Sequence, residues 1–208
     1  MDLTTLGLFL LATITLNLTP GPDMLYVIAR SVGQGRKAGV VSALGIGAGT
    51  LVHMFAVALG LATLLRSVPV AYDMVKYIGA AYLLYLGVRM FLSKESTEGQ
   101  TRLRKEGHKR IFAQGVVTNV LNPKVALFFL AFLPQFVDPQ RGPVFWQVIF
   151  LGLMFDTSGT LVNTTVALLS GSVGNRLRGN PRLGRLQRWF TGTVFIGLAA
   201  RLAIPEGR

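Results

Sequence analysis

Four ionisable side chains lie inside long apolar stretches of the chain: Asp23, His53, Lys124 and Asp156. A charge near the centre of a bilayer costs roughly 2.5 to 3.5 kcal/mol, so such residues usually face a helix bundle or a wet cavity. A lysine can hold a carboxylate, whereas carboxylates and histidine can exchange protons. These four residues are therefore candidates for a binding or proton-transfer site.

Lys124 follows Asn122 and Pro123, and this pattern predicts a helix that is capped by the asparagine and begins at the proline. The helix macrodipole is positive at that end and disfavours a cation. An anion is therefore expected beside the lysine: the carboxylate of Asp23, that of Asp156, or that of a substrate. The alternative is a lysine that extends toward the membrane interface from a short helix.

A second proline-containing break lies near the N-terminus, in the sequence NLTPGPD at 17–23. Proline removes helix hydrogen bonds and disfavours helical geometry at the preceding residue. Thr19 is predicted to cap a half-helix that begins at Pro20 and runs to about Arg30. Asp23 in its first turn is favourable electrostatically, so a simple helix-start role competes with a binding role.

The two breaks occupy matching positions in the two halves of the chain. The offset is 102 residues from Asn17 to Asn119 and 103 residues from Pro20 to Pro123. Because each half has three predicted helices, an odd number, the second half is expected to be inverted in the membrane. Secondary transporters have this arrangement, with discontinuous helices around a substrate near mid-membrane. The alternative is that the prolines only kink packed helices.

The breaks lie in apolar stretches that are long enough to span a membrane. A spanning helix needs about 20 mainly apolar residues. The chain has six such stretches, at 3–28, 39–65, 68–92, 111–136, 144–169 and 186–204. Only 14% of the residues are charged, against about 25% in soluble domains. We therefore expect an all-α integral membrane protein with six transmembrane helices, of which helices 1 and 4 are broken at the proline motifs.

The predicted helices form one membrane domain over 1–208, made of two inverted three-helix repeats. The first repeat covers about 1–92 and the second about 111–208, and a basic loop at 93–110 joins them. The opening residues lack the basic region of a secretory signal, so the first helix is expected to be retained.

Basic residues are concentrated in alternate loops. The net charge is +12, and 14 of the 21 lysines and arginines lie between helices 1 and 2, 3 and 4, and 5 and 6. In the first of these loops they are Arg30, Arg36 and Lys37. The positive-inside rule makes these loops cytoplasmic and both termini periplasmic. Attraction of these loops to anionic lipid accounts for the net positive charge. Nucleic acid is not expected as a partner, because no basic, aromatic-containing surface on which bases could stack is recognisable.

The second and fifth predicted helices carry small or polar faces. Asp156 and Asn163 recur at helical spacing on the fifth, which is expected to line a pathway, with helix packing as the alternative. On the second, Gly45 and Gly49 share a face with His53 and are expected to allow close helix approach. His53 is either a packing residue or a protonatable group that couples transport.

Several classes of chemistry are excluded. Cysteine is absent, which excludes disulfide scaffolds, thiolate metal sites and thiol-redox carriers. No metal site and no cofactor are expected. An intramembrane enzyme is not expected either, because the sequence has neither a GxSG serine motif with a histidine partner nor an aspartate pair with a GxGD element. Two alternatives to a transporter of small organic molecules stay open. One is an exporter of an oxygen-ligated cation, held by Asp23, Asp156 and asparagines; the other is a membrane scaffold that does not transport.

The sequence resembles the LysE/RhtB family of amino-acid exporters. The resemblance rests on NLTPGPD at 17–23, the glycine-rich stretch at 39–60, NVLNPK at 119–124 with ALFF at 126–129, and the six helices. It covers essentially the whole chain. It implies a secondary-active exporter of amino acids or related metabolites in the bacterial inner membrane, driven by the proton gradient and working as a homodimer. The substrate varies within such families and stays open.

The residues expected to bind substrate or couple transport lie in the two breaks and on the second and fifth helices. They are Asn17, Thr19, Pro20, Gly21, Pro22, Asp23, His53, Asn119, Asn122, Pro123, Lys124, Asp156 and Asn163. In this hypothesis the two half-helix N-termini and Lys124 hold the substrate carboxylate, and Asp156 or Asp23 meets its ammonium group. Protonation of a carboxylate or of His53 couples alternating access to the proton gradient.

Overall fold

The computed structural model describes residues 3–67 and 105–170, without side chains at 62–67, and isolated helical positions at 81, 84, 85, 88, 92, 189, 193, 196, 197 and 200. Apart from those positions, the predicted helices at 68–92 and 186–204 and most of the loop at 93–110 lie outside the described residues. The described part of the chain is helical and contains no strand, which confirms the all-α prediction there.

The helices follow one another through short connections. In chain order they are α1 (Leu3–Leu18), α2 (Pro22–Gln34), α3 (Arg36–Ser67), α4 (His108–Val120), α5 (Pro123–Leu127) and α6 (Val144–Ser170). A π-helical segment at Phe128–Phe132 and a 3-10 turn at Leu133–Phe136 continue α5, and a second 3-10 turn at Pro139–Arg141 precedes α6.

Two of these helices are long and apolar enough to cross a membrane, within Arg36–Leu61 and Val144–Ser170. Two further candidate spans are bent pairs: α1 with α2, at 48°, and α4 with Pro123–Phe136, at 49°. The described residues thus contain two to four candidate spans. That each bent pair is one broken membrane helix, and that the two halves are inverted repeats, stay predictions.

The first break differs from its prediction. The α2 helix begins at Pro22, with Gly21 rather than Thr19 at the N-cap position. The Thr19 hydroxyl donates instead to the Thr15 carbonyl, at 2.7 Å, because the end of α1 leaves acceptors that need donors. The expected end near Arg30 is also wrong, since the helix runs to Gln34.

The second break follows its prediction. Asn122 caps α5 by accepting a hydrogen bond from the Lys124 backbone N–H at 3.0 Å, and Pro123 is the first helical residue. Proline suits this position because its missing N–H would have no partner in the first turn of a helix.

Glycines allow α3 to pack tightly against α4. A Cβ atom built at Gly115 would lie 2.8 Å from the Ser42 carbonyl oxygen, and one at Gly45 would overlap the Phe112 carbonyl oxygen. One at Gly49 would lie 2.8 Å from the Cβ of Asn119. The predicted role of Gly45 and Gly49 in close helix approach is therefore confirmed.

Phenylalanine rings pack the segment after the second break against α1 and α6. The Phe128 ring lies 4.4 Å from that of Phe155, between centroids, and Phe9 meets Phe136 at 5.2 Å. Phe9, Phe128 and Phe155 are buried. Such aromatic pairs add to the gain from apolar burial, so this cluster stabilises the position of Phe128–Phe136 against α1 and α6.

Candidate functional site

A small polar cavity lies where the two breaks meet, with α3 and α6 forming its other walls. Six residues of the predicted site line it together: Asn17, Asp23, Asn119, Lys124, Asp156 and Asn163. The cavity volume is about 20 Å³, which is room for about one water molecule. The cavity must therefore widen to admit any larger molecule.

Lys124 reaches from the start of α5 to the end of α1. Its Nζ atom donates to the carbonyl oxygens of Thr19, at 2.9 Å, and Leu16, at 3.2 Å. These acceptors lie at a helix C-terminus, where the macrodipole is negative and a cation is favoured. In the described part of the chain Lys124 makes no ion pair with Asp23 or Asp156, the two protein partners proposed from the sequence. The carbonyl oxygens of Leu16 and Thr19, rather than a carboxylate, offset the unfavourable effect of the α5 dipole on the Lys124 charge.

Gly21 makes room for this lysine. A Cβ atom at position 21 would lie 3.1 Å from the Lys124 Nζ atom, closer than most Cβ contacts in proteins. A side chain there would compete with the ammonium group for the same space. Gly21 in the first break thus leaves space for the Lys124 side chain from the second break.

Asp23 joins the two breaks directly. Its Oδ2 atom accepts a hydrogen bond from Asn119 Nδ2 at 2.8 Å, and both residues are buried. Asn119 in turn accepts from the Thr50 hydroxyl at 3.4 Å on its side-chain oxygen, and its backbone carbonyl lies 3.2 Å from His53 Nε2. The other Asp23 oxygen, Oδ1, is buried without a hydrogen-bond partner among the described residues. It can therefore accept from a cationic ligand.

Asp156 lies on the α6 wall of the cavity and is half-buried. Its Oδ1 atom is 3.5 Å from the Thr160 hydroxyl, at the long limit of a hydrogen bond. A Cβ atom at Gly47, across on α3, would lie 3.2 Å from the same oxygen. The carboxylate is thus weakly held and faces Gly47, which has no side chain.

Asn17 fastens the end of α1 to α6. Its Nδ2 atom donates to the Ser158 hydroxyl at 2.9 Å and to the Phe155 carbonyl at 3.2 Å. Asn163, about two turns further along α6 than Asp156, is buried and also lines the cavity. The polar face expected on the fifth predicted helix therefore lies on the cavity.

The remaining predicted residues lie outside the cavity lining. His53 is half-buried, with its ring stacked 6.1 Å from that of Phe129. The others shape the backbone of the breaks: Thr19, Pro20, Gly21, Pro22, Asn122 and Pro123. They position the charged residues.

Sequence reasoning missed four apolar residues of the lining and two further residues of α3. The missed residues are Met24, Ile46, Gly47, Thr50, Val125 and Phe155. Met24 and Val125 immediately follow Asp23 and Lys124, which is the one local signal for them. The others look like ordinary residues of a membrane helix until the packing is known.

Comparison with known proteins identifies the family to which this chain is similar. The family described as LysE type translocator matches residues 14–206. Leucine efflux proteins from Salmonella typhimurium (strain LT2) and Salmonella typhi are each 31% identical over 199 residues, covering 94% of this chain and 92% of theirs. The leucine efflux protein from Klebsiella pneumoniae is 32% identical over 197 residues, with the same coverage. No solved structure matches the chain. Since the match spans nearly its whole length, this chain belongs to the LysE type translocator family.

Proposed function

We propose that this protein is a secondary-active exporter of leucine or a similar amino acid in the bacterial inner membrane, working by proton antiport. Membership of the LysE type translocator family makes it a membrane transport protein. The relatives named leucine efflux proteins support a branched aliphatic amino acid as the substrate. The observation that carries the proposal is the cavity between the two bent helix pairs, which holds Lys124, Asp23 and Asp156.

The cavity has complementary groups for each part of an amino acid. The carboxylate would displace the α1 carbonyls from Lys124 Nζ, because an ion pair in a low-dielectric site is stronger than a bond to a neutral carbonyl. The ammonium group would meet the free oxygen of Asp23 or the weakly held carboxylate of Asp156. The side chain would contact the apolar lining, which is Met24, Ile46, Val125 and Phe155.

Alternating access would arise from two inverted repeats, at about 1–92 and 111–208, within one domain. The nearly equal bends of 48° and 49° at the two breaks support this symmetry. With the basic loop at 93–110 on the cytoplasmic side, both termini would be periplasmic. Anionic lipid would contact the basic loops, and the homodimer rests on the family resemblance alone.

An exporter of an oxygen-ligated cation is the weaker alternative. The Lys124 ammonium group lies in the same cavity as both carboxylates, and it would repel a cation held there. A scaffold that does not transport would gain nothing from charged groups at the junction of two broken helices, since each costs free energy in the membrane.

The proposed activity is tested by counterflow of labelled leucine into proteoliposomes of the purified protein. We expect accumulation in vesicles preloaded with unlabelled leucine, and faster exchange of isoleucine and valine than of lysine or glutamate. An imposed pH gradient is expected to drive net leucine movement against its concentration gradient. If the folded protein moves none of a panel of amino acids, the proposal is wrong.

Asp156→Asn is expected to remove the effect of the pH gradient and leave leucine exchange at equal pH measurable. Asparagine has nearly the same shape as aspartate but cannot release a proton, so binding can persist while coupling is lost. The measurement is net leucine transport with and without a pH gradient. Asp138→Asn is the matched control, because Asp138 lies outside the cavity beside the 3-10 turn at Pro139–Arg141. Unchanged proton-driven transport in Asp156→Asn would exclude Asp156 as the coupling residue.

A further inference from the structure

A second polar cluster joins α2 to α4 and to the residues before α4. We name it the Arg30 cluster; its members are Tyr26, Arg30, Gln34, Glu106 and Gln114. The Arg30 side chain is only 2% exposed, and its Nη2 atom lies 3.8 Å from Glu106 Oε2. The sequence-based assignment of Arg30 to a loop is therefore wrong, because this residue is inside α2 and buried.

The cluster is closely hydrogen-bonded across the two helices. Arg30 donates through one nitrogen to Gln34 Oε1, at 2.6 Å, and through the other to Gln114 Oε1. Gln114 Nε2 donates to Glu106 Oε2 at 3.0 Å, and Gln34 Nε2 donates to the Glu106 backbone carbonyl at 2.9 Å. The Tyr26 hydroxyl donates to the Ile111 carbonyl at 2.8 Å. Three of these bonds cross between α2 and the segment from 106 to 114: Arg30 to Gln114, Gln34 to Glu106, and Tyr26 to Ile111.

The same two helices are also joined at the cavity. Asp23, in the first turn of α2, is bonded to Asn119 near the end of α4, whereas Arg30 is bonded to Gln114, further toward the start of α4. The helices therefore run antiparallel, with one connection in the cavity and one beyond it. Seven residues at 1.5 Å each place Arg30 about 10 Å along α2 from Asp23.

The α2 helix is bounded by a break in the helical backbone at each end. It has 13 residues and lies between Gly21 and Gly35. Gly35 adopts φ +93°, a conformation that favours glycine. Because breaks lie at both ends, a rotation of α2 as one body would shift Asp23 and Arg30 together.

We infer that the Arg30 cluster is a gate that closes the cavity toward the side of the segment at 105–110, and that α2 is its moving element. The inference rests on the proposed function. A gate of amide, guanidinium and carboxylate groups suits this task, because water can replace the hydrogen bonds of these groups when the gate opens. A gate made of apolar side chains would instead expose apolar surface to water on opening, which is unfavourable. Contact of α2 with substrate through Asp23 would be transmitted to Arg30 at the other end of the helix.

The test uses the absence of cysteine in the native chain. A single reporter, Thr160→Cys, places one thiol on the cavity wall, and its reaction with a membrane-impermeant maleimide is timed in inside-out vesicles. In the closed protein the cavity has room for about one water molecule, so we expect slow labelling. Adding Gln114→Ala, which removes the bond across the helices, is expected to accelerate labelling about tenfold.

Two further variants separate a gate from a static contact. Tyr26→Phe removes one hydroxyl and keeps the packing, so it is expected to accelerate labelling by a smaller factor. Arg110→Gln is the matched control. Arg110 also pairs with Glu106, at 2.8 Å, but it is 73% exposed and lies in the first turn of α4, so this pair does not join α4 to α2. Its labelling rate is expected to equal that of the reporter protein alone.

Equal labelling in the reporter protein, Gln114→Ala and Tyr26→Phe, all eluting as folded protein, would overturn the gate. Acceleration by Arg110→Gln to the same extent as by Gln114→Ala would also overturn it, since general loosening would then explain the effect. Labelling does not require leucine to move. A protein that fails in leucine counterflow but shows the expected labelling pattern would therefore refute the proposed substrate and retain the gate.

Discussion

Lys124→Ala is expected to reduce leucine counterflow about 100-fold, the loss that accompanies removal of several charge-assisted hydrogen bonds at once. The variant removes the cation proposed to hold the substrate carboxylate. It also leaves the carbonyls of Leu16 and Thr19 without the donor that they share. Counterflow at equal pH measures this loss without the contribution of proton coupling.

The control for this variant is Lys37→Ala, which removes an exposed lysine near the start of α3. Its counterflow is expected to match that of the wild-type protein. Lys124→Arg should recover part of the activity, because the charge is kept while the larger guanidinium group fits poorly against Gly21. Wild-type counterflow in a folded Lys124→Ala protein would remove Lys124 from the binding site.

Gly115→Ala is expected to lower the free energy of unfolding by about 1 to 3 kcal/mol, the usual cost of overpacking. The added methyl group would lie 2.8 Å from the Ser42 carbonyl oxygen and 3.2 Å from Gly45 Cα. Both are backbone atoms, which cannot turn aside as a flexible side chain can, so α3 and α4 must separate. Thermal unfolding in detergent should show a midpoint lower by about 2 to 4 °C for each kcal/mol lost.

Gly60→Ala serves as the matched control on α3. Among the described residues, no heavy atom lies within 4 Å of a Cβ atom built at Gly60, and alanine favours the helix more than glycine does. Its midpoint should equal or slightly exceed that of the wild-type protein. If Gly115→Ala unfolds at the wild-type temperature, the close contact between α3 and α4 does not contribute to stability.

The second break could be predicted from local sequence because its cap is local. Asn122 accepts from the backbone two residues ahead, and Pro123 occupies the one position where proline favours a helix. The first break contains two prolines and a threonine, which offer more than one possible helix start. The hydroxyl of Thr19 has acceptors at the end of α1 as well as donors at the start of α2, and the sequence does not indicate which group it bonds.

The charged residues of the cavity could be identified from their cost in an apolar stretch, but their partners could not. Lys124 is more than 100 residues from the carbonyls that it bonds. Carbonyl oxygens have no signature in the sequence, so a carboxylate was the expected partner. Asp23 and Asn119 come together because the two breaks meet, and that contact depends on packing across the whole bundle.

The burial of Arg30 likewise could not be predicted from local sequence. An arginine near the end of an apolar stretch, followed by Arg36 and Lys37, fits a basic cytoplasmic loop. Its burial depends on Glu106 and Gln114, which lie far along the chain in a segment of mixed charge. Only the tertiary structure distinguishes this arginine from its exposed neighbours.

The small volume of the cavity affects how substrate affinity must be interpreted. If the protein binds leucine only after the cavity widens, the observed dissociation constant equals the intrinsic one divided by the fraction of molecules in the widened form. A form populated at about 1% would weaken the observed affinity about 100-fold. Variants that favour the widened form would then bind leucine more tightly while completing fewer transport cycles, so affinity and turnover would change in opposite directions.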